Sequence, residues 1–323
     1  MSNRPWSDSG VTIESLVEAA VLAPSSHNTQ PWLFRPHEAG LDVLADRTRA
    51  LPVNDPEDRE LTISCGAAVF NLRVRAAAQG LAAAVEALPD DQDPDLLARI
   101  TLAAAPGASH EAGLDDALAR RRTYRQRFAP DAVASEAIDA LVAAAGSERA
   151  TLHVLEAPDR RARAAELVAE GDAMQWANPS WRRELAAWMH ARRRGDGLAL
   201  PALAVPVAQV VVRTFDMGHG VGAKDRQLAD ESPLLAVLST DGDAPLDWLQ
   251  AGQALQRVLL TAARHGLQAS YLNQPAQVPS LRPKLQQVTG RPGYAQVLLR
   301  IGTPTQALPP APRRPLADVL VSA

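Results

Sequence analysis

The densest set of ligand-handling groups lies in Ala23-Pro24-Ser25-Ser26-His27-Asn28-Thr29-Gln30-Pro31-Trp32, a helix end followed by hydroxyls, amides and exposed backbone, then an aromatic. Such a loop offers donors and acceptors to the edge of a flat heteroaromatic ring. The same composition also suits a capped helix end and turn, where Ser, Asn and Pro are frequent. A second set is Arg121-Arg122-Thr123-Tyr124-Arg125, closing at Phe128. Guanidinium forks bind a phosphate monoester bidentately, and a Thr hydroxyl adds a donor. A solvated basic helix face is the competing reading.

Other chemistry is thinner. His27 sits inside the first loop, where its reference pKa of about 6.5 would suit acid–base work. His219, in "DMGHGVGAKD", falls in a Gly-rich stretch read as a mobile flap rather than a phosphate fingerprint. His190 and His265 read as helix-surface residues, and Asp55, Glu57 and Asp58 as a capping or salt-bridging acidic loop. No metal-ligand spacing and no G-x-S-x-G elbow is present. Cys65 is the only cysteine, so an intramolecular disulfide is excluded and a reducing, cytoplasmic setting is expected. A net charge of −4 gives no drive toward nucleic acid or anionic membrane. No stretch approaches the ~20 apolar residues of a membrane helix.

The elements that must position these groups follow from periodicity. Apolar residues at helical spacing predict helices over 12–23, 61–80, 114–122, 134–145, 158–174 and 246–265. Strands are expected over 32–35, 41–44, 96–104, 151–155, 234–239 and 296–301, and the proline-rich tail 304–315 should run extended. A weak repeat joins the two longest helices. Gly66 and Gly80 match Gly252 and Gly266, each pair displaced by 186 residues (252 minus 66, 266 minus 80). Gly inside a helix costs roughly 0.5–1 kcal/mol against Ala, and close helix–helix approach would justify it. The repeat suggests a tandem duplication packed as a pseudo-dimer.

The loop string resembles the P-S-S-x-N-x-Q-P-W motif of the nitroreductase family. The resemblance implies that Pro24, Ser25, Ser26 and Asn28 lie along the isoalloxazine of FMN, with Gln30 and Trp32 in support. The double-Arg string is similar to the family's R-R-S/T-x-R-x-F element, which implies phosphate binding by Arg121, Arg122, Thr123 and Arg125. "GLQASYLNQP" resembles the family's strand and turn beside flavin N5, placing backbone of Leu272, Asn273 and Gln274 there. "PAPRRP" resembles its closing basic segment, with Arg313 at the phosphate and Ala311 where the family has Lys. Chain order departs from the ordinary half-size subunit, because here the loop is in the first half and the double-Arg element opens the second.

That order, with "ALPVNDPEDRELTISCGAAVFNLRVRAAAQG" and "LLRIG", resembles the Acg-like group of fused double nitroreductases. The implied fold is α+β, two nitroreductase-like halves (1–110 and 111–323) in one pseudo-dimer with one flavin site. Residues 172–200, which hold Trp176, Trp181 and Trp188, are the expected lid. The implied function is hydride transfer from NAD(P)H through FMN to a nitroaromatic, quinone or similar acceptor. The alternatives are a flavin-sequestering protein without turnover and a dehydrogenase of a biosynthetic intermediate. Monomer and homodimer are both compatible.

Overall fold

The computed structural model describes residues 11–105, 107, 109–189, 195–198, 205–214 and 216–322. His190, Arg192, Arg193 and Arg194 lie outside these, as do residues 199–200 of the expected lid.

The chain opens with α1 (Ile13–Ala20), started by Thr12, whose Oγ1 accepts the Ser15 N–H at 3.2 Å. A hairpin follows, β1 (Trp32–His37) and β2 (Gly40–Ala45). Then come α2 (Arg59–Ala78), β3 (Leu81–Ala87) and β4 (Leu96–Ala104). The second half runs α3 (Asp115–Arg120), α4 (Ser135–Gly146), β5 (Thr151–Val154), α5 (Pro158–Ala177), α6 (Pro179–Ala187), α7 (Val205–Thr214) and α8 (Gly218–Asp230). It closes with β6 (Leu234–Thr240), α9 (Pro245–Arg264), β7 (Gln268–Tyr271), α10 (Gln274–Gln277), α11 (Arg282–Thr289) and β8 (Tyr294–Gly302). Among the described residues no helix is long and apolar enough to cross a membrane.

The strands form two antiparallel sheets, ordered β1-β2-β4-β3 and β5-β6-β8-β7. The order is the same in each, and each carries a register shift in the corresponding pair, at Val43/Leu44 and at Leu238/Ser239. The duplication extends to the central helices. Displacing α2 by 186 residues gives the bounds of α9. They cross where the repeated glycines meet: a Cβ on Gly66 would lie 2.2 Å from Leu249 O, and one on Gly252 would lie 2.0 Å from Ile63 O. The glycines' cost is therefore offset by a contact that no other residue permits. Around the crossing the halves exchange side chains. Ile63 of α2 is buried in the second-half core, and Leu249, the equivalent position on α9, in the first-half core.

Two further segments tie the chain together, one within the second half and one between the halves. Thr123 bridges to Ala269 of β7, and Tyr124 N–H donates to Ala269 O at 2.8 Å. The tail returns to the first sheet, where Phe34 of edge strand β1 donates to Val319 O and accepts from Val321 N–H.

One expectation is corrected. "DMGHGVGAKD" is largely helical, forming the start of α8, where a Gly-rich flap was expected. Two of its three glycines are close-packed against α5: a Cβ on Gly218 would lie 3.0 Å from the Trp176 side chain, and one on Gly222 3.3 Å from Ala169 O. Helix α2 also differs from an amphipathic surface helix. It is buried on nearly every side, polar residues Glu60, Thr62, Ser64 and Asn71 included, because both halves pack on it.

Candidate functional site

Loop 24–31 is held in a conformation that its residues disfavour. His27, Asn28 and Gln30 all have left-handed backbones, with φ of 52°, 55° and 52°. Such angles cost of order 1–3 kcal/mol each outside Gly and persist only when neighbours over-determine them. Here they do. Ser25 Oγ accepts the Gln30 N–H at 2.9 Å. Asn28 Oδ1 accepts from Arg313 Nη1 at 3.1 Å, and its Nδ2 donates to Pro312 O. Gln30 Oε1 accepts the Arg314 N–H at 2.9 Å, while its Nε2 donates to Gly195 O at 2.6 Å. Arg314 Nη1 donates to Gln30 O and Trp32 O and pairs with Asp46. The returning tail therefore shapes the loop.

Beside the loop lies a cluster of arginines without counter-ions. Arg121 is buried; its Nη2 donates to Leu22 O at 3.0 Å, but Nε and Nη1 have no acceptor among the described residues. Arg313 shares Leu22 O and leaves its Nε unpaired. Burial, reinforced by Arg121 and Arg122, pushes Arg313 down to about 9. Burial also lowers Arg121 and Arg125. Arg125 is solvent-accessible, yet enough protein surrounds it to desolvate it, as expected of a side chain lining a concavity. Tyr271 stands among them, its buried hydroxyl unpaired and pushed by burial up to about 12, against the pull of Arg121, Arg125 and Arg313. Burying a guanidinium costs several kcal/mol unless an anion answers it. No carboxylate of the described residues pairs with Arg121, Arg122, Arg125 or Arg313, so the arrangement suits an anionic ligand with several acceptor oxygens.

The far end of the cleft has opposite polarity. Glu60, buried at the start of α2, accepts from Ser26 Oγ at 2.6 Å, Asn273 Nδ2 at 3.1 Å and Gln277 Nε2 at 2.9 Å. It ties the first-half loop to second-half residues. His27 lies between the ends. Burial lowers it to about 4, with Glu60 opposing and Arg125 assisting, so it is a neutral imidazole at pH 7 and brings no imidazolium proton.

No protein-family model matches the chain. It is 33% identical over 318 residues to Rv3131 of Mycobacterium tuberculosis H37Rv, a span covering 96% of this chain and 91% of that one. It is 31% identical over 318 residues to acg of the same strain, covering 95% and 94%. Both relatives carry the provisional name NAD(P)H nitroreductase. The chain belongs to the nitroreductase family, in its Acg-like group. Among solved structures, the FMN and NADPH-dependent nitroreductase NfnB of Sphigopyxis sp. strain HMH overlays with a TM-score of 0.44 and 20% identity, covering 64% of this chain and 97% of its own.

In this Acg-like nitroreductase the residues singled out from sequence fall into three groups. Ser26, Arg121, Arg122, Arg125, Asn273 and Arg313 come together around Glu60 and Tyr271, from both halves, while Thr123 bridges to β7 at Ala269. Pro24, Ser25, Asn28 and Gln30 build the loop; the Gln30 side chain is fully buried and wholly used in holding the tail and Gly195. Leu272 and Gln274 face elsewhere with part of their polar groups. Leu272 N–H is taken by Leu298 O, and Gln274 Nε2 donates to Asp172 and Asp225 on α5 and α8. Glu60, Tyr271 and Arg314 were not singled out. Tyr271 adjoins Leu272 and Arg314 follows Arg313; Glu60 lies within the stretch 50–80 that carries the group resemblance, but among acids at a helix start nothing marks its role.

Proposed function

We propose that this Acg-like nitroreductase holds one FMN at the junction of its halves and uses NAD(P)H to reduce a small organic acceptor. The observation that carries the reading is Arg121: a buried guanidinium with two unpaired N–H groups, joined by the unpaired Nε of Arg313. The FMN phosphate supplies the oxygens that these donors lack. Tyr271 would add a hydroxyl donor, and Ser26 and Asn273, fixed by Glu60, would flank the ring edge. When bound, the flavin supplies hydride acceptance and donation. The chain's part is to grip the phosphate, hold the loop and set charge around the ring; His27, neutral at pH 7, leaves proton supply to water. The acceptor class and the nicotinamide donor follow from the relatives' names and from the motifs.

One observation favours a second reading, a flavin-holding protein without turnover. Residues 195–198 press on the loop, Gly195 O accepting from Gln30 and Gly197 N–H donating to Asn28 O at 3.3 Å. A cover seated there would hinder nicotinamide. The experiment is a visible spectrum of FMN-loaded protein, then anaerobic NADPH and NADH. Bleaching within seconds, reversed by a nitroaromatic or quinone, is the expected result. A band bleached only by dithionite selects the holding role, and no band after loading overturns both.

A further inference from the structure

A separate cavity of about 490 Å³ lies between the start of α2 and the α10–α11 region, lined by both halves. No residue of loop 24–31 lines it, so it is not the cleft described above. Its volume is that of a small-molecule site.

Its chemistry is selective. The apolar walls are stiff, formed by Pro56, Pro279, Pro283, Ala276, Ala295 and the ring of Tyr294. Three carboxylates, Asp55, Glu57 and Asp243, face two guanidinium groups, and both arginines are already engaged. Arg59 donates to Gln296 O at 2.8 Å, Gln296 Oε1 at 3.0 Å and Ala276 O at 3.0 Å. Arg282 donates to Ala295 O at 2.8 Å, to Gln296 Oε1 and to Asp243. Asp243 is paired with Arg282, and Asp55 accepts the Leu61 N–H at 2.9 Å, so an anion meets Glu57 and an acid excess with no spare cation. Asn54 supplies the opposite need. It is 5% exposed and lines the cavity. Its Oδ1 accepts from Trp181 Nε1 at 2.8 Å, which fixes the amide's orientation, and its Nδ2 is left without an acceptor.

We infer that this cavity binds an uncharged small ring compound bearing a carbonyl oxygen. The oxygen accepts from Asn54 Nδ2, and the ring lies on the proline and alanine walls. The site stands independently of the flavin assignment. Its position links it to two other parts of the molecule. Asn54 is held by α6, whose Glu184 accepts the Val53 and Asn54 N–H groups at 2.9 and 2.8 Å. Gln277, in the inner wall, donates to Glu60. An occupant therefore touches Asn54 and Gln277, which in turn contact the expected lid and the residue that anchors the loop.

The test is equilibrium dialysis of the full chain against benzamide and benzoate, which share a shape and differ in charge. Saturable benzamide binding, about tenfold or more tighter than benzoate, is expected. Pro279→Trp at the exposed rim should weaken benzamide by about tenfold or more, and Glu57→Lys should bring benzoate to within about threefold of benzamide. Equal binding of the two probes, benzamide binding untouched by Pro279→Trp, or no benzamide binding would each overturn the proposal.

Discussion

The two halves share strand order, a displaced register and a central helix of equal length, yet they treat arginine in opposite ways. The connection from the helix that precedes the first strand to that strand runs over residues 21–31 in the first half and 147–150 in the second. At the short connection, Glu148 joins Glu111 in neutralising Arg73 and Arg257. Glu148 receives Arg73 Nη1 at 2.8 Å and Arg257 Nε at 2.7 Å, and both guanidiniums lie over the Phe70 ring. At the long connection, Arg121 and Arg313 pair with no acid among the described residues. One arginine cluster is complete by itself and contributes to folding. The other is costly as it stands and becomes favourable only with a ligand. Duplication copied the scaffold, and the connections of different length give its two junctions different charge.

The widest test of the shared scaffold is its crossing point. Gly66→Ala and Gly252→Ala should each destabilise by more than about 3 kcal/mol in urea unfolding, because the new methyl meets backbone oxygen. If one is tolerated and the other not, the crossing is not symmetric. Next come the arginines. Arg121→Ala should weaken FMN binding by about 1.5–3 kcal/mol, measured by fluorescence titration, and should stabilise the flavin-free protein. Glu148→Ala should do the reverse, costing about 1–2 kcal/mol of stability with flavin affinity unchanged. Equal effects on flavin would erase the contrast.

Helices α5 to α8 have no first-half counterpart, and they carry a pH-dependent element. Burial, with Asp225 nearby, raises Asp172 to about 7, above its ordinary 3.8. The folded state thus keeps a proton that the unfolded chain releases, so stability falls as pH rises from 3.8 to about 7 and then levels. Asp172→Asn should raise stability by about 1–2 kcal/mol at pH 8, with little gain at pH 4, in thermal melts at both values. The smallest effect is expected at the ends of the central helices. Gly80 and Gly266 have φ of 76° and 73° with open space around each Cβ position. Gly80→Ala and Gly266→Ala should cost about 1 kcal/mol apiece, from backbone alone.

Sequence pattern revealed most of the scaffold because long helices and apolar strands announce themselves. The boundaries of β4 and the 186-residue displacement were legible, and the displacement proved to be a physical crossing. Strand β3 was not legible. Leu81-Ala82-Ala83-Ala84-Val85-Glu86-Ala87 has weak strand propensity and is a strand because β4 pairs along its whole length. Helix α8 was hidden by its glycines, which mimic a loop until α5 is seen packed on them. In the site, motif order identified the residues that gather at the cleft. It missed Glu60 because the role depends on three donors that are distant in sequence. It also gave Gln30 a place beside the ring, although its amide is used to hold the tail.

The pairing of Val319 and Val321 with Phe34 has a consequence for synthesis on the ribosome. Strand β1 emerges 285 residues before the segment that covers its outer edge (319 minus 34). Throughout elongation the first sheet carries an open edge, the kind of surface that recruits other strands. The same tail brings Arg313 and Arg314 to loop 24–31. Closing the edge and setting the loop are thus one event, so a chain lacking the tail gains neither its aggregation guard nor the shape of loop 24–31.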